Sequence, residues 1–203
     1  MSVVETVFPL AFYRSDKYIF PNGEIDEFNK CRSSKDLTLN VGKNLVSKET
    51  YLLNLPTLTK LKEFVQFNLN NYWHDVMKVT TKVPIEITQS WLNFNPKGTF
   101  HHMHHHSNSI VSGVIFVQGK GSFLAERGIN HFPMWDLAYD EVTLFNSEKW
   151  EVEATRGHLI LFPSSVKHTV KENTEEEERV SVAFNTMARG PLGKRPNLTE
   201  VML

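Results

Sequence analysis

The sequence predicts a mainly β fold with one N-terminal helix, a double-sheet jelly roll or a closely related barrel. Three observations carry that expectation. From about residue 82 the chain reads as short β-rich segments divided by turn signals. Upstream lies a single strongly amphipathic helical stretch. The composition, 40% hydrophobic and 22% charged over 203 residues, is that of one globular domain. Residues 1–81 are expected to form a helical and irregular layer, 82–187 the β core and 188–203 a tail.

Taken in order, the opening apolar run carries Glu5 and Pro9, is too short to span a bilayer and has no basic segment before it. The stretch "PNGEIDEFNKCRSSKDLT" reads as polar and turn-rich, and "NLVSKETYLLN" as a short extended or single-turn segment. Over residues 55–79, Leu58, Leu61, Val65, Leu69, Tyr72, Trp73 and Val76 recur at the spacing of an amphipathic helix. The expected strands are "VPIEITQSWLNFN", "SIVSGVIFVQ", "GSFLAER", "VTLFN", "KWEVEATRGHLILFP", "HTVKEN" and "RVSVAFNT". Gly113 and Gly157 read as close-packing or turn positions. The tail, rich in proline and glycine, is expected to wrap the surface or to be partly disordered.

Charge and cysteine content exclude several classes. The net charge is −1 and no Lys/Arg run is present, so neither nucleic acid nor an anionic membrane is indicated. Cys31 is the single cysteine, which rules out an intramolecular disulfide and a four-cysteine zinc site. These features suit a soluble protein of a reducing compartment, the cytoplasm.

The chemistry concentrates in "HHMHHH", residues 101–106, where five of nine histidines fall within six positions. The stretch is mid-chain and broken by Met103, so it is no purification tag. On a strand, His102, His104 and His106 project to one face and His101 and His105 to the other. Two imidazoles of an H-x-H pair then converge, and His168, beyond the apolar strand "HLILFP", is the natural third ligand of a facial triad with open positions. Both His104/His106 and His102/His104 satisfy that geometry. His74, His131 and His158 have no partner at ligand spacing and read as packed or solvated residues.

His168, followed eleven residues later by Arg179 and two further on by Ser181, resembles the distal histidine and R-x-S anchor of iron(II)/2-oxoglutarate-dependent dioxygenases. The stretch "HHHSNSIVSGVIFVQ" is similar to the H-x-H...N-S...SGV segment of a little-characterised branch of that superfamily, found in bacteria and phages. The likeness covers about residues 88–187. It implies a double-stranded β-helix, Fe(II) on His104, His106 and His168, and 2-oxoglutarate converted with O2 to succinate and carbon dioxide while an unknown substrate is oxidised. Arg179 would grip the remote carboxylate of 2-oxoglutarate bidentately, with Ser181 adding a hydrogen bond. A surface partnership of Arg179 with the acidic run Glu175–Glu178 is the competing expectation.

Two departures from the family accompany this likeness. The commoner triad has an acid where His106 stands, so three neutral imidazoles leave the site one unit more positive, and a water or a distant acid such as Glu126, Asp136 or Asp75 is expected to intervene. Phe116 takes the place of a usual co-substrate-binding tyrosine. Trp91 and Asn93 share a face of their strand, and Asn93 and Asn185 are candidate polar lining residues for the co-substrate pocket. A cupin-type three-histidine enzyme without 2-oxoglutarate, or a non-enzymatic jelly-roll metal-binding module, would use the same histidines. Residues 125–141 suit either a lid or a plain surface loop.

Overall fold

The computed structural model describes residues 2–34, 36–128 and 137–203. After β1 (Tyr13–Arg14) come α1 (Asn22–Ser33), β2 (Leu37–Leu39), β3 (Leu45–Ser47), two 3-10 turns, and α2 (Thr59–Asn70), which runs on as a π-helical segment, Asn71–Val76. The core then consists of β4 (Ile85–Asn95), β5 (His101–His104), β6 (Val111–Gln118), β7 (Gly121–Glu126), β8 (Lys149–Ala154), β9 (Leu159–Pro163), β10 (His168–Val170) and β11 (Arg179–Ala188). The tail forms a small hairpin of β12 (Pro191–Leu192) and β13 (Val201–Met202).

Two antiparallel sheets make the jelly roll. The larger has the order β1-β9-β6-β11-β4-β3-β2 and the smaller β5-β10-β7-β8. Strands β6, β9 and β11 are buried on both faces, which is why "VSGVIFVQ" and "LILFP" read as continuous apolar runs. One face packs between the sheets, where Val114, Phe116, Phe123, Ile160 and Phe162 meet, with the Phe123 and Phe162 rings 4.7 Å apart. The other face carries α2 through Leu61, Val65, Leu69 and Tyr72, all fully buried. In the smaller sheet, β7 alternates buried and half-buried positions, and its sequence alternates accordingly.

Three expectations need correction. The stretch read as turn-rich folds as α1 over Asn22–Ser33. It has few apolar residues, but Phe28 packs on Phe20 with ring centroids 6.1 Å apart, so burial decides where local periodicity is silent. The expected strand at 142–146 is absent: Asn146 Oδ1 accepts the Thr143 N–H at 2.6 Å, and the segment closes into a turn. The run 149–163 is two strands, divided by a turn whose Gly157 has φ +87°.

Gly113 lies on β6 opposite the ring of Phe184. A Cβ there would sit 2.2 Å from Phe184 Cζ and 2.8 Å from Leu161 Cδ2. Gly113→Ala is therefore expected to cost about 1–3 kcal/mol through overpacking. A denaturant melt checks it; an unchanged midpoint would show that the rings yield freely.

Candidate metal centre

The cavity between the sheets is organised by the β4–β11 ladder. Arg179 pairs with Asn95, Ser181 with Asn93, Ala183 with Trp91 and Asn185 with Gln89. Except for Asn185 and Gln89, these residues line one cavity, along with His101, His104, His106 and His168. Asn95 and Asn93 are buried, Trp91 is half-buried and Gln89 is exposed, so the cavity deepens toward Arg179. The Trp91 ring is 6.0 Å from that of His106, which puts the histidines near the open end. Four residues of strand, about 13 Å, separate the Ala183 level from Arg179.

His104, His106 and His168 each offer a nitrogen within 4.8 Å of the others. His104 ends β5, His168 opens β10 directly opposite it, and His106 follows β5 with its N–H bonded to Ser164 O at 3.0 Å. The rings of His106 and His168 are nearly parallel, and their Nε2 atoms face each other at 3.3 Å. Hydrogen bonding sets the tautomers. His104 Nδ1 donates to His102 O at 2.8 Å and His168 Nδ1 to Val166 O at 2.9 Å, so Nε2 of each carries a lone pair.

Burial keeps these rings neutral. It pushes the His168 imidazole down to about 3 and His106 to about 4, and it lowers His104 as well, with the neighbouring imidazoles adding repulsion. His168 Nε2 presents a lone pair to His106 Nε2 at 3.3 Å, a contact that a proton on His106 Nε2 bridges in the metal-free protein and that a divalent metal with an affinity for nitrogen can bridge in its place. Between His104/His106 and His102/His104, the geometry selects the former as the pair that meets His168. Among the described residues no acid lines the cavity. Asp75 is exposed on the π-helical segment and Glu126 lies outside the lining, while Asp136 falls outside the described residues.

His101 contradicts simple alternation. Opposite β10, His168 pairs with His104 but Val170 with His101, so two steps on β10 face three on β5. This β-bulge turns His101 to the cavity side, with its ring 4.4 Å from that of His104. Asn40 holds it there. The Asn40 Oδ1 accepts the Val41 N–H at 2.8 Å, leaving Nδ2 3.3 Å from His101 Nε2. No sequence signal announces the bulge. His105 is exposed as expected, and His74 is satisfied by Val79 O at 2.9 Å and His158 by Thr155 Oγ1 at 3.0 Å. His131 lies outside the described residues, as does the middle of the 125–141 loop.

At the deep end, Arg179 is 3% exposed and donates Nη2 to Lys171 O at 2.8 Å. The acidic run does not claim it: Glu178 is gripped by Arg32 Nε at 3.0 Å and Glu176 by Lys97. Arg179 makes no ion pair within 4.0 Å among the described residues, and burial draws its guanidinium down to about 10. A buried cation without a counter-ion, beside Ser181 and Asn93, is a receptor for an anion. Asn93 Oδ1 is itself buried without a hydrogen-bond partner among the described residues. Two expected lining residues are not in the cavity wall. Phe116 packs its ring against Gly121, where a Cβ would be 2.2 Å away, so its role is core. Asn185 sits outside the wall, its Oδ1 accepting from Ser112 Oγ at 3.0 Å and its Nδ2 donating to Gln89 Oε1 at 3.4 Å.

The neutral imidazoles give the metal-free protein a definite pH response. His101 and His168 ionise only near 3 and His106 near 4, whereas unfolded histidine ionises at about 6.5. Below about pH 6.5 the unfolded chain thus binds more protons than the folded one. Stability is full above that pH and falls on acidification by up to about 1.4 kcal/mol per pH unit for each such imidazole. Melting temperatures measured from pH 7.5 to 5 should decline; a flat profile would show that these rings are not buried neutral.

An antiparallel double-stranded β-helix thus holds imidazoles at the open end of its cavity and a buried arginine at the deep end. Residues 89–185 match the family described as "Putative 2OG-Fe(II) oxygenase". Over these residues the chain is similar to that family. Solved structures share the fold. An oxidoreductase of the 2OG-Fe(II) oxygenase family from Burkholderia pseudomallei aligns at TM-score 0.58 and 16% identity over 86% of this chain and 83% of that one. A Pseudomonas putida prolyl-4-hydroxylase aligns at 0.55 and 14% over 88% and 94%. HygX from Streptomyces hygroscopicus, crystallised with nickel, 2-oxoglutarate and hygromycin B, aligns at 0.55 and 16% over 87% and 82%. No curated protein matches the chain by sequence. Among the described residues no helix is long and apolar enough to cross a membrane.

Proposed function

We propose that His104, His106 and His168 hold Fe(II) and that Arg179 anchors 2-oxoglutarate, in an oxygenase that hydroxylates or otherwise oxidises a substrate C–H with O2. The observation that carries this is a buried arginine with no ion pair among the described residues and a neutral imidazole triad at opposite ends of one cavity. Iron(II), when bound with 2-oxoglutarate and O2, supplies the oxidising power, coupled to the breakdown of 2-oxoglutarate to succinate and carbon dioxide.

The chain's own residues do the rest. The three imidazoles present lone pairs from one side and leave the opposite side free for small ligands. Arg179 offers a planar fork to a carboxylate, which Ser181 Oγ and the Asn93 amide flank on the neighbouring ladder positions. His101 and Trp91 wall the space between, and the surrounding Phe123 and Phe162 keep water from it. With no carboxylate among the ligands, the charges of 2-oxoglutarate are balanced by the metal at one end and the guanidinium at the other.

The same reading gives a single domain, with 1–81 as a layer on the 82–187 core and 188–203 as a tail, working in the cytoplasm, a setting supported by its single cysteine. Its prime substrate enters from the open, Trp91 side. The test is succinate release from 2-oxoglutarate by anaerobically iron-loaded protein on admission of air, with His168→Ala alongside. Release by the wild type and none by the variant is expected. No 2-oxoglutarate turnover across a broad substrate screen would contradict the reading and favour a three-histidine enzyme of another kind or a metal-binding module.

A further inference from the structure

Of the four imidazoles that line the cavity among the described residues, His101 alone stands outside the triad, and its protonation follows from its contacts. The Asn40 amide is oriented by the Val41 N–H on its Oδ1, so the group facing His101 Nε2 at 3.3 Å is the amino group, which only donates. Nε2 therefore accepts, and the ring carries its proton on Nδ1. That N–H has one acceptor among the described residues, the neighbouring His102 O at 3.4 Å, against 2.8 and 2.9 Å for the carbonyl bonds of His104 and His168. It is loosely held, and a stronger acceptor can take it.

The ring is held in place through its own backbone and its neighbour's. Thr169 Oγ1 donates to His101 O across the β5–β10 ladder. The β2–β3 turn that carries Asn40 lies tight against Phe100: the Phe100 N–H donates to Gly42 O at 3.1 Å, and a Cβ on Gly42 would sit 2.0 Å from Phe100 O. Strand β10 and the residue after it give the levels of the cavity in order. His168 pairs with His104 at the triad, Val170 pairs with His101, and Lys171 offers the carbonyl that Arg179 Nη2 holds at 2.8 Å. His101 thus stands between the triad and the guanidinium, and a ligand that joins them passes its ring. At the triad end, His104 and His168 have no N–H to spare, since Nδ1 of each is bonded to a carbonyl and Nε2 of each carries the lone pair for the metal. Outside the triad, His101 is the polar side chain that the smaller sheet contributes to the lining.

We propose that His101 binds 2-oxoglutarate at its keto-acid end, donating Nδ1–H to the carboxylate beside the keto group, while Arg179 and Ser181 hold the remote carboxylate. This rests on the 2-oxoglutarate reading above and deepens it. Asn40, in the N-terminal layer, is then the positioning residue that fixes which nitrogen of His101 donates.

The experiment is a calorimetric titration of Mn(II)-loaded wild type, His101→Phe, His101→Gln and Asn40→Ala with 2-oxoglutarate and, separately, with 2-oxopentanoate, in which a methyl group replaces the remote carboxylate. Equilibrium dialysis of Mn(II) and a thermal melt of each protein confirm metal binding and folding. Loss of a hydrogen bond to a charged group weakens binding about 10–100-fold, and His101→Phe is expected to lose that factor for both ligands. His101→Gln, whose amide can accept from Asn40 and donate to the ligand, should restore most of the affinity, and Asn40→Ala should lose less than His101→Phe. If His101→Phe does not fold or hold metal, Asn40→Ala carries the test. Wild-type affinity for 2-oxoglutarate in Asn40→Ala and, where it folds, in His101→Phe would overturn the contact, as would equal loss in the Phe and Gln variants. A loss seen with 2-oxoglutarate and not with 2-oxopentanoate would overturn its placement at the keto-acid end. Failure of the Mn(II)-loaded wild type to bind 2-oxoglutarate would instead overturn the reading on which the contact rests.

Discussion

Arg179→Ala is expected to lose 2-oxoglutarate binding while keeping the metal. A guanidinium that is 3% exposed and, among the described residues, donates only to a carbonyl has its remaining donors available for a carboxylate. Truncating one partner of such a desolvated, hydrogen-bonded charge pair costs about 2–5 kcal/mol, which is roughly 30- to 5,000-fold in affinity. Calorimetric titration of 2-oxoglutarate into Mn(II)-loaded wild type and variant measures it. A cupin-type enzyme without 2-oxoglutarate would show the same weak or absent binding in both. The substitution has a second signature. Without ligand, Arg179 is a buried cation that burial already draws down to about 10, and Arg179→Met should leave the ligand-free protein as stable as wild type or more so.

The other large effect belongs to the triad. His168→Ala and His104→Ala are each expected to abolish Fe(II) binding at concentrations that saturate the wild type, a loss exceeding the roughly 100-fold ceiling for outer-shell changes. His168 is the more telling of the two: it is 3% exposed, packs against Phe123 with ring centroids 4.7 Å apart, and faces His106 Nε2. His105→Ala, at an exposed position of the same stretch, should bind metal as the wild type does. Equilibrium dialysis with metal analysis separates these outcomes. Equal binding in His168→Ala and His105→Ala would assign the metal to the cluster's surface rather than to the cavity.

The difference between those two histidines shows how far sequence reaches. His104, His106, His168 and Arg179 were legible because each stands at a spacing that chemistry constrains, and the apolar strands between them set their faces. His101 was not, because one extra residue in β5 reverses its face without any change in composition. Phe116 occupies a position where the resembled family has a tyrosine, yet its ring is spent on Gly121. Asn185 was legible as a polar residue near the site, but its side chain, beside a slip in the β11–β4 register, is spent on Ser112 and Gln89 outside the cavity wall. In the N-terminal layer, α1 escaped for the opposite reason: its stability comes from Phe20 and α2, not from its own pattern.

The most direct test of the central claim is a thermal melt under argon, with metal-free protein, Mn(II) alone, 2-oxoglutarate alone and both together. One cavity with metal and anion receptors at its two ends predicts stabilisation by Mn(II) and a further increment from 2-oxoglutarate that appears only with the metal present. At one hundred times its dissociation constant that increment is about 2.7 kcal/mol. Stabilisation by Mn(II) with no response to 2-oxoglutarate at millimolar concentration would contradict the assignment of Arg179 and of the reaction, and no response to either would remove the metal centre as well.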